Sequence, residues 1–257
     1  MKVIAIMSPK GGVGKTAAAD SIAYILANMG KRVLLMDGDP QADSTRIFQK
    51  YIDHSASGME DLLRGKRKIT EVIEETEYER LDLIPTSGYL TETEIQLRMD
   101  GHLKVVREAI KDIEDRYDYI ICDCGRIIDA VTYNFLLAAD LLISPCKVGG
   151  FEVNALDALN DEMSEAIMDM NPNLQWWILL TMMQKNKTAA DFEEWMRDVS
   201  GYAVFDTNIR HSVLAVKSTI LRRPLPNVSK RGAITVDYIN LTEEILEVLG
   251  EEEKPYD

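Results

Sequence analysis

The residues Lys10-Gly11-Gly12-Val13-Gly14-Lys15-Thr16 decide the fold, because they join a mostly apolar run, Lys2–Met7, to a helical pattern, Thr16–Met29. Glycines at these positions let the backbone curl until its N–H groups point inward at a helix start, where they bind anions. The combination of strand, glycines, Lys-Thr and helix predicts a phosphate-binding loop rather than a glycine-rich turn that binds nothing. Lys15 is expected to reach the β- and γ-phosphates, and the Thr16 hydroxyl to coordinate Mg²⁺.

Away from this loop, short apolar runs alternate with longer helical patterns. The predicted strands are Lys2–Met7, Arg32–Met36, Leu81–Pro85, Tyr117–Cys122, Leu141–Pro145, Trp176–Thr181 and Ala203–Phe205. The predicted helices are Thr16–Met29, Thr91–Arg116, Ala130–Ala139, Glu152–Met170, Ala189–Val199 and Ala233–Leu249. This alternation predicts an α/β fold, with a doubly wound, mostly parallel sheet and helices on both of its faces. Between Pro40 and Arg80 the pattern is least periodic, which predicts a mobile loop with short helices.

Composition places the chain in an ordinary globular class. Of its 257 residues, 46% are apolar and 28% are charged, which excludes bulk disorder. No repeat or linker interrupts the pattern, so we expect one domain over residues 1–257, with a frayed acidic tail at 250–257. The five-residue apolar run at Val3–Met7 is too short for a signal peptide. Three cysteines do not make a disulfide framework, and a cytoplasmic location is expected.

Carboxylates follow two of the predicted strands. Asp37-Gly38-Asp39-Pro40-Gln41 comes directly after one strand, and Tyr117–Cys122 is followed by Asp123. Carboxylates at the ends of parallel strands lie beside the phosphate crevice, where Asp123 is expected to hold Mg²⁺ through a water. Asp37 and Asp39 also suit an Asx turn or a helix cap. The neighbouring phosphate loop favours the functional interpretation.

Lys10 adds a second lysine that one bound nucleotide does not need. With it, the loop resembles the deviant Walker A motif of the ParA/MinD superfamily of P-loop ATPases, which includes the ParA/Soj-type partition ATPases. The resemblance implies ATP and Mg²⁺ as cofactors, and an ATP-sandwich homodimer in which Lys10 contacts the partner's nucleotide. It also implies that Asp39 polarises the attacking water and that Asp37 lies in the Mg²⁺ shell.

The resemblance gives three sets of site residues. Those expected to bind nucleotide are Lys10, Gly11, Gly12, Val13, Gly14, Lys15, Thr16 and Ala17. Those expected to act in catalysis are Lys10, Lys15 and Asp39. Those expected at the metal are Thr16, Asp37 and Asp123.

The chain departs from the family at several positions. Relatives usually carry two prolines after the Walker B aspartate, where this chain has Cys124-Gly125-Arg126. Gly125 is more permissive than proline, and Arg126 is placed to approach the phosphates. Ala17 lacks a hydroxyl that relatives often direct at the α-phosphate. No cysteine occurs at 127–132, so the iron–sulfur cluster of nitrogenase-reductase relatives is not expected. The cysteines, Cys122, Cys124 and Cys146, are expected to be buried free thiols.

A basic stretch stands out in a chain of net charge −14. From Thr207 to Gly232 there are six basic residues and no acid: Arg210, Lys217, Arg222, Arg223, Lys230 and Arg231. They form either a solvated basic face, paired with the acidic helices, or a patch that contacts DNA phosphates without regard to sequence. The resemblance favours the patch, because ParA relatives bind DNA through basic residues in this part of the chain, chiefly as ATP dimers.

Three functions fit these observations. The leading one is a DNA-partitioning ATPase for a plasmid, chromosome or mobile element, with slow hydrolysis stimulated by a ParB-like centromere-binding protein. It would be cytoplasmic and associated with the nucleoid when ATP is bound. The alternatives are an ATPase that positions a protein cargo, and a nucleotide-gated binding module with little turnover, which Gly125-Arg126 suggests. A membrane-bound, MinD-like role is not expected, because the tail after Gly232 has eight acids and one lysine.

Overall fold

Seven strands form one sheet in a computed structural model that describes residues 1–49, 58–87 and 89–251. They are β1 (Lys2–Ile6), β2 (Val33–Gly38), β3 (Glu74–Glu75), β4 (Leu81–Ile84), β5 (Tyr119–Cys124), β6 (Leu141–Lys147) and β7 (Gln175–Thr181). Their order is β3-β4-β2-β5-β1-β6-β7, and every neighbouring pair is parallel except β3 with β4. The predicted α/β fold with a doubly wound, mostly parallel sheet is therefore confirmed.

Helices connect and cover these strands. They are α1 (Lys15–Asn28), α2 (Asp43–Phe48), α3 (Met59–Leu63), α4 (Ile69–Val72), α5 (Leu90–Asp100), α6 (Val105–Ala109), α7 (Ala130–Ala138), α8 (Gly150–Ala166), α9 (Lys187–Asp198), α10 (Leu214–Leu221), α11 (Leu225–Val228) and α12 (Ala233–Val248). A single 3₁₀ turn, Ile110–Ile113, follows α6. None of the helices within the described ranges has the length and apolar character that crossing a bilayer requires.

The side chains of β1 point alternately to the two faces of the sheet and pack in a different part of the core on each face. Successive strand residues point to opposite faces. Val3 and Ala5 pack in one cluster with Phe135 of α7. Ile4 and Ile6 pack in another, with apolar residues of α1 and α12. Because β1 is buried on both faces, the strand that leads into the glycine loop is held rigidly.

Three sequence predictions differ from the structure. Ala203–Phe205 is not a strand, because it meets the sheet through the single bridge between Ile178 and Val204. Thr91–Arg116 is not one helix, because α5 ends where Gly101 takes a left-handed conformation with φ of 70°. The unpredicted elements, α10, α11 and the two-residue strand β3, make up the third difference. Short helices do occur between Pro40 and Arg80, while residues 50–57, 88 and 252–257 lie outside the described part. That the whole chain forms one domain stays a prediction.

A close approach at the end of β2 gives a test of this packing. A Cβ added to Gly38 would lie 2.1 Å from Cε2 of the fully buried Phe135. We expect Gly38→Ala to lower the free energy of unfolding by about 1–3 kcal/mol, since overpacking forces a core side chain to move. Urea unfolding measures it, with Gly150→Ala as the control, because nothing lies within 4 Å of a Cβ added there. Equal unfolding midpoints for the two variants would contradict the packing.

Candidate phosphate-binding site

The loop between β1 and α1 takes its shape from two left-handed glycines. Gly12 has φ of 67° and Gly14 has φ of 92°, a region that residues with a Cβ rarely adopt. Gly14 caps α1, and its carbonyl accepts a hydrogen bond from the Ala18 N–H at 2.9 Å. Between them, the buried Val13 has a carbonyl that accepts a hydrogen bond from the Thr181 hydroxyl at 2.8 Å. The end of β7 thus anchors the loop.

The two lysines of the loop differ in their surroundings. Lys15 is only 7% exposed, and its Nζ donates to the carbonyl of Lys10 at 3.4 Å. Burial lowers the pKa of Lys15, while the charges of Asp123 and Asp39 act to raise it. The Lys10 side chain is half-buried and forms no salt bridge among the described residues. Lys10 therefore stands at the mouth of the loop without an acidic partner there.

Asp37 is buried and already committed to structural hydrogen bonds. Its Oδ2 accepts from the Thr45 N–H at 2.8 Å and from the Thr45 hydroxyl at 2.6 Å, which fixes the start of α2. Its Oδ1 accepts from the Asp39 N–H at 3.1 Å. Burial raises the pKa of Asp37, against the effect of these bonds. Asp37 thus orders the segment that follows β2, and its place in the Mg²⁺ shell stays a prediction.

Asp123 is the carboxylate whose surroundings suit a cation. It pairs in register with Asp37 of β2, it is fully buried, and burial together with the charge of Asp37 raises its pKa. The nearby Thr16 hydroxyl acts to lower that pKa, and Oδ2 of Asp123 accepts a hydrogen bond from the Ser44 hydroxyl at 2.9 Å. Its Oδ1 is buried with no hydrogen-bond partner among the described residues. A hydrated cation beside Thr16 would satisfy that oxygen.

Magnesium suits this arrangement because it needs few protein ligands. No group of three or more His, Cys, Asp or Glu side chains in the described part of the chain is arranged to hold a metal ion. Mg²⁺ is commonly held by one or two carboxylates together with phosphate oxygens and water. Thr16 and Asp123 meet that description.

Asp39 lies at the edge of the site. It is half-buried, its Oδ1 accepts from the Gln41 N–H at 2.8 Å, and its charge acts on Lys15. The bond to Gln41 is that of an Asx turn, the structural alternative that the sequence left open. The predicted catalytic role of Asp39 is compatible with that turn and stays a prediction.

Arg126 brings a further cation to the loop. A Cβ added to Gly11 would lie 3.2 Å from Nη1 and 3.4 Å from Cδ of Arg126, so the arginine packs against the loop. Gly125 lies beside Pro40 and the carbonyl of Gly38, in the segment that follows β2. The departure from the proline pair thus places a guanidinium next to the predicted phosphate position.

Sequence reasoning missed two polar residues here, Asp20 and Ser44. Asp20 is 2% exposed in the first turns of α1, and Ser44 is fully buried in α2. The signal for Asp20 was present, because it is a charged residue in the run Ala17-Ala18-Ala19-Asp20. Ser44 gave no signal, since serine is common at helix starts.

The cysteines match their prediction. Cys122, Cys124 and Cys146 are free and buried, and burial raises the pKa of each thiol.

The six basic residues between Thr207 and Gly232 are all exposed. Arg210 is engaged, because its Nη2 and Nε bind the two carboxylate oxygens of Asp237 at 2.6 and 2.7 Å. Arg222 lines a cavity of about 460 Å³ together with Thr16 and Ala17 of the loop helix. One residue of the basic stretch, Arg222, therefore lies near the start of the helix that follows the phosphate loop. Binding of DNA by these residues stays a prediction.

Known proteins are similar to this chain both in sequence and in fold. The sequence model of the AAA domain family matches residues 1–176. The chain is 30% identical over 218 residues to the sporulation initiation inhibitor protein Soj of Bacillus subtilis, covering 82% of this chain and 86% of Soj. It is 28% identical over 250 residues to the chromosome partitioning protein ParA of Myxococcus xanthus, covering 95% and 88%. Cobyrinic acid a,c-diamide synthase from Mycobacterium smegmatis, solved with ADP and magnesium, has the same fold, with TM-score 0.84, 23% identity and coverage of 99% and 97%.

The position of Arg126 leads to a prediction about nucleotide affinity. We expect Arg126→Ala to weaken the binding of a magnesium nucleoside triphosphate about tenfold, because a charged hydrogen bond contributes about 1.5 kcal/mol or more. Arg126→Lys, which keeps the charge, is expected to lose less. Calorimetry measures both, with Arg80→Ala as the control, because Arg80 donates to the Gly30 carbonyl beyond the opposite end of α1. Unchanged affinity in Arg126→Ala would exclude a phosphate contact.

Proposed function

Because the chain belongs to the AAA domain family and to the ParA/MinD superfamily of P-loop ATPases, we propose that it is a ParA/Soj-type partition ATPase. It hydrolyses ATP slowly, dimerises with ATP and binds DNA without sequence preference. The observation that carries the proposal is the two-lysine phosphate loop, in which Lys15 is buried close to Asp123 while Lys10 has no acidic partner in the described part.

ATP and Mg²⁺ fit the loop and the acids beside it. The loop N–H groups and Lys15 bind the phosphates, and Thr16 and Asp123 hold the metal. Mg²⁺, when bound, neutralises charge on the transferred phosphoryl group. Asp39 orients a water and accepts its proton as the water oxygen bonds to the γ-phosphorus. The bond from that phosphorus to the bridging oxygen breaks, which gives ADP and phosphate.

The proposed dimer follows from the position of Lys10. A half-buried ammonium at the mouth of the loop, with no acid paired to it there, can reach a phosphate on another chain. Two copies that face each other through their loops would each place one Lys10 on the other's nucleotide. Dimerisation would then require ATP, since the shared contacts are with its phosphates.

Substitution of each lysine separates these two roles. We expect Lys10→Ala to keep nucleotide binding by the monomer largely intact and to lose ATP-dependent dimerisation. Lys15→Ala is expected to lose nucleotide binding itself. Light scattering with a non-hydrolysable ATP analogue, together with calorimetry, measures both properties. A Lys10→Ala protein that dimerises like the parent would refute the contact across the dimer, and tight binding by Lys15→Ala would refute the loop assignment.

DNA is the proposed partner of the exposed basic residues. Arg222, Arg223, Lys230 and Arg231 follow α10, are exposed, and lie in a stretch with no acid. Phosphate contacts need positive charge and carry little sequence information. A dimer would present this patch twice, which ties DNA affinity to the bound nucleotide. We further propose a ParB-like partner and a cytoplasmic protein that joins the nucleoid when ATP is bound.

One observation favours a second candidate, an ATPase that positions a protein cargo. Val213, Val216 and Ile220 of the α10 region are 75, 61 and 74% exposed, and they recur at helical spacing within the basic stretch. Large exposed apolar side chains add little to phosphate binding, and they are typical of surfaces that contact proteins. The α10 face therefore suits a protein partner better than DNA.

A salt titration distinguishes the two candidates. With the ATP analogue bound, affinity for any duplex is expected to fall steeply with salt, at about 0.9 counterion released per neutralised phosphate. Arg222→Ala, Arg223→Ala, Lys230→Ala and Arg231→Ala should each weaken all DNA sequences equally and flatten the slope. Lys111→Ala is the control, because Lys111 is a surface lysine paired with Glu108.

Two results would decide against DNA. The first is no binding of DNA at low salt by the nucleotide-bound protein. The second is binding that the four basic substitutions leave unchanged. Either result would favour the protein cargo, and Val216→Ser with Ile220→Ser would then be expected to abolish cargo capture while DNA binding stays as in the parent. A turnover assay with and without DNA separates both candidates from a binding module that barely hydrolyses ATP.

A further inference from the structure

The buried carboxylate of Asp20 has no role in the site as described so far. It lies one helical turn after Thr16 in α1 and is 2% exposed. Its Oδ1 accepts a hydrogen bond from the Ser44 hydroxyl at 2.6 Å. Its Oδ2 is buried and has no hydrogen-bond partner among the described residues. A buried carboxylate with one unsatisfied oxygen is costly unless a ligand completes it.

Ser44 joins this carboxylate to Asp123. The same hydroxyl lies 2.6 Å from Oδ1 of Asp20 and 2.9 Å from Oδ2 of Asp123. A serine hydroxyl has one proton, so it donates to only one carboxylate at a time. The two carboxylates therefore share a single donor, and the group lacks positive charge between its members.

Neither of these two carboxylates forms an ion pair in the described part of the chain. No salt bridge found among the described residues includes Asp20 or Asp123. Lys15 donates to a backbone carbonyl. Burial, and then the charge of Asp123, raises the pKa of Asp20 well above its usual range.

Two carboxylate oxygens are unsatisfied, and Asp20, which carries one of them, lines a cavity. Oδ2 of Asp20 and Oδ1 of Asp123 are both buried and unpartnered in the described part of the chain. Asp20 and Thr16 line the cavity of about 460 Å³ between α1, α2 and α10, and Arg46 and Arg222 line it as well. Asp37 is not included in this group, because both of its carboxylate oxygens already accept hydrogen bonds from Thr45 and Asp39. The oxygens that remain are carboxylate and hydroxyl oxygens, which Mg²⁺ and Mn²⁺ prefer.

We propose that Asp20 and Asp123, with the hydroxyls of Ser44 and Thr16, form a divalent-cation site that binds Mg²⁺ or Mn²⁺ before any nucleotide is bound. Where a phosphate-binding loop has only one buried carboxylate, most of the negative charge that attracts the cation comes from the nucleotide's phosphates. Here the second carboxylate, Asp20, supplies negative charge for the cation before any nucleotide binds. The inference rests on the proposed function only in sharing Thr16 and Asp123.

Calorimetry with Mn²⁺ on the full-length, nucleotide-free protein tests the site. We expect one ion per chain and a melting temperature that rises with Mn²⁺ concentration. Asp20→Asn, which keeps the shape and removes the charge, should weaken Mn²⁺ binding about tenfold or more, and Ser44→Ala should weaken it in the same direction. Glu60→Gln is the matched control, because Glu60 is a buried carboxylate with an unpartnered Oε2, held by Thr86 and Ser87 after β4.

Two outcomes would overturn the inference. One is no Mn²⁺ binding by the nucleotide-free parent at millimolar concentration. The other is an Asp20→Asn protein that binds Mn²⁺ like the parent, which would mean that a proton, not a metal, neutralises Asp20. Lys15→Ala separates this site from the proposed function, since it should lose nucleotide binding while the nucleotide-free protein still binds Mn²⁺ at least as tightly, because a positive charge near Asp123 is removed. A parent that binds Mn²⁺ and no ATP would refute the proposed function and leave the cation site standing.

Discussion

The register between β2 and β5 is the constraint on which the rest of the site depends. It sets Asp37 opposite Asp123 on neighbouring parallel strands, and both carboxylates are fully buried. Two such groups repel each other, so each must be satisfied differently. Asp37 is satisfied by Thr45 and by the backbone of Asp39, which orders the segment after β2. Asp123 keeps an oxygen without a partner in the described residues, and that oxygen is the one on which the proposed cation site at the end of β5 rests.

The phosphate loop depends on the same sheet. β1 lies between β5 and β6, with Ile6 in register with Asp123, so the loop leaves β1 level with the acids. Gly12 and Gly14 then supply the left-handed turns, and Thr181 of β7 holds the loop from the other side. Three strands thus fix the distance between the N–H groups of the glycine loop and the carboxylate of Asp123. Because the loop is already ordered, little conformational entropy is lost when a nucleotide binds.

Local signals explain what the sequence could predict. The glycine loop, the acids at the ends of β2 and β5 and the apolar strands are each specified within a few residues, so their positions were predictable. Asp20 and Ser44 are 24 residues apart, and only the tertiary structure shows that one hydroxyl bridges two carboxylates. The split of Thr91–Arg116 depends on the left-handed Gly101, which a helical apolar pattern does not reveal. The α10 helix was missed because its Val216 and Ile220 face outward, so its periodicity does not follow the core.

The charge balance of the site has a consequence for how its ligands bind. Asp20, Asp37 and Asp123 are buried near one another, Lys15 lies close to Asp123, and Arg46 and Arg222 line the cavity beside Asp20. A nucleotide brings several more negative charges to this region, so its entry is opposed unless a divalent cation enters as well. A cation bound first would remove that repulsion and strengthen nucleotide binding. By linkage, bound nucleotide must then strengthen cation binding by the same factor. The second carboxylate, Asp20, therefore couples cation binding to nucleotide binding at the loop. Metal concentration would then set the nucleotide affinity, and with it ATP-dependent dimerisation.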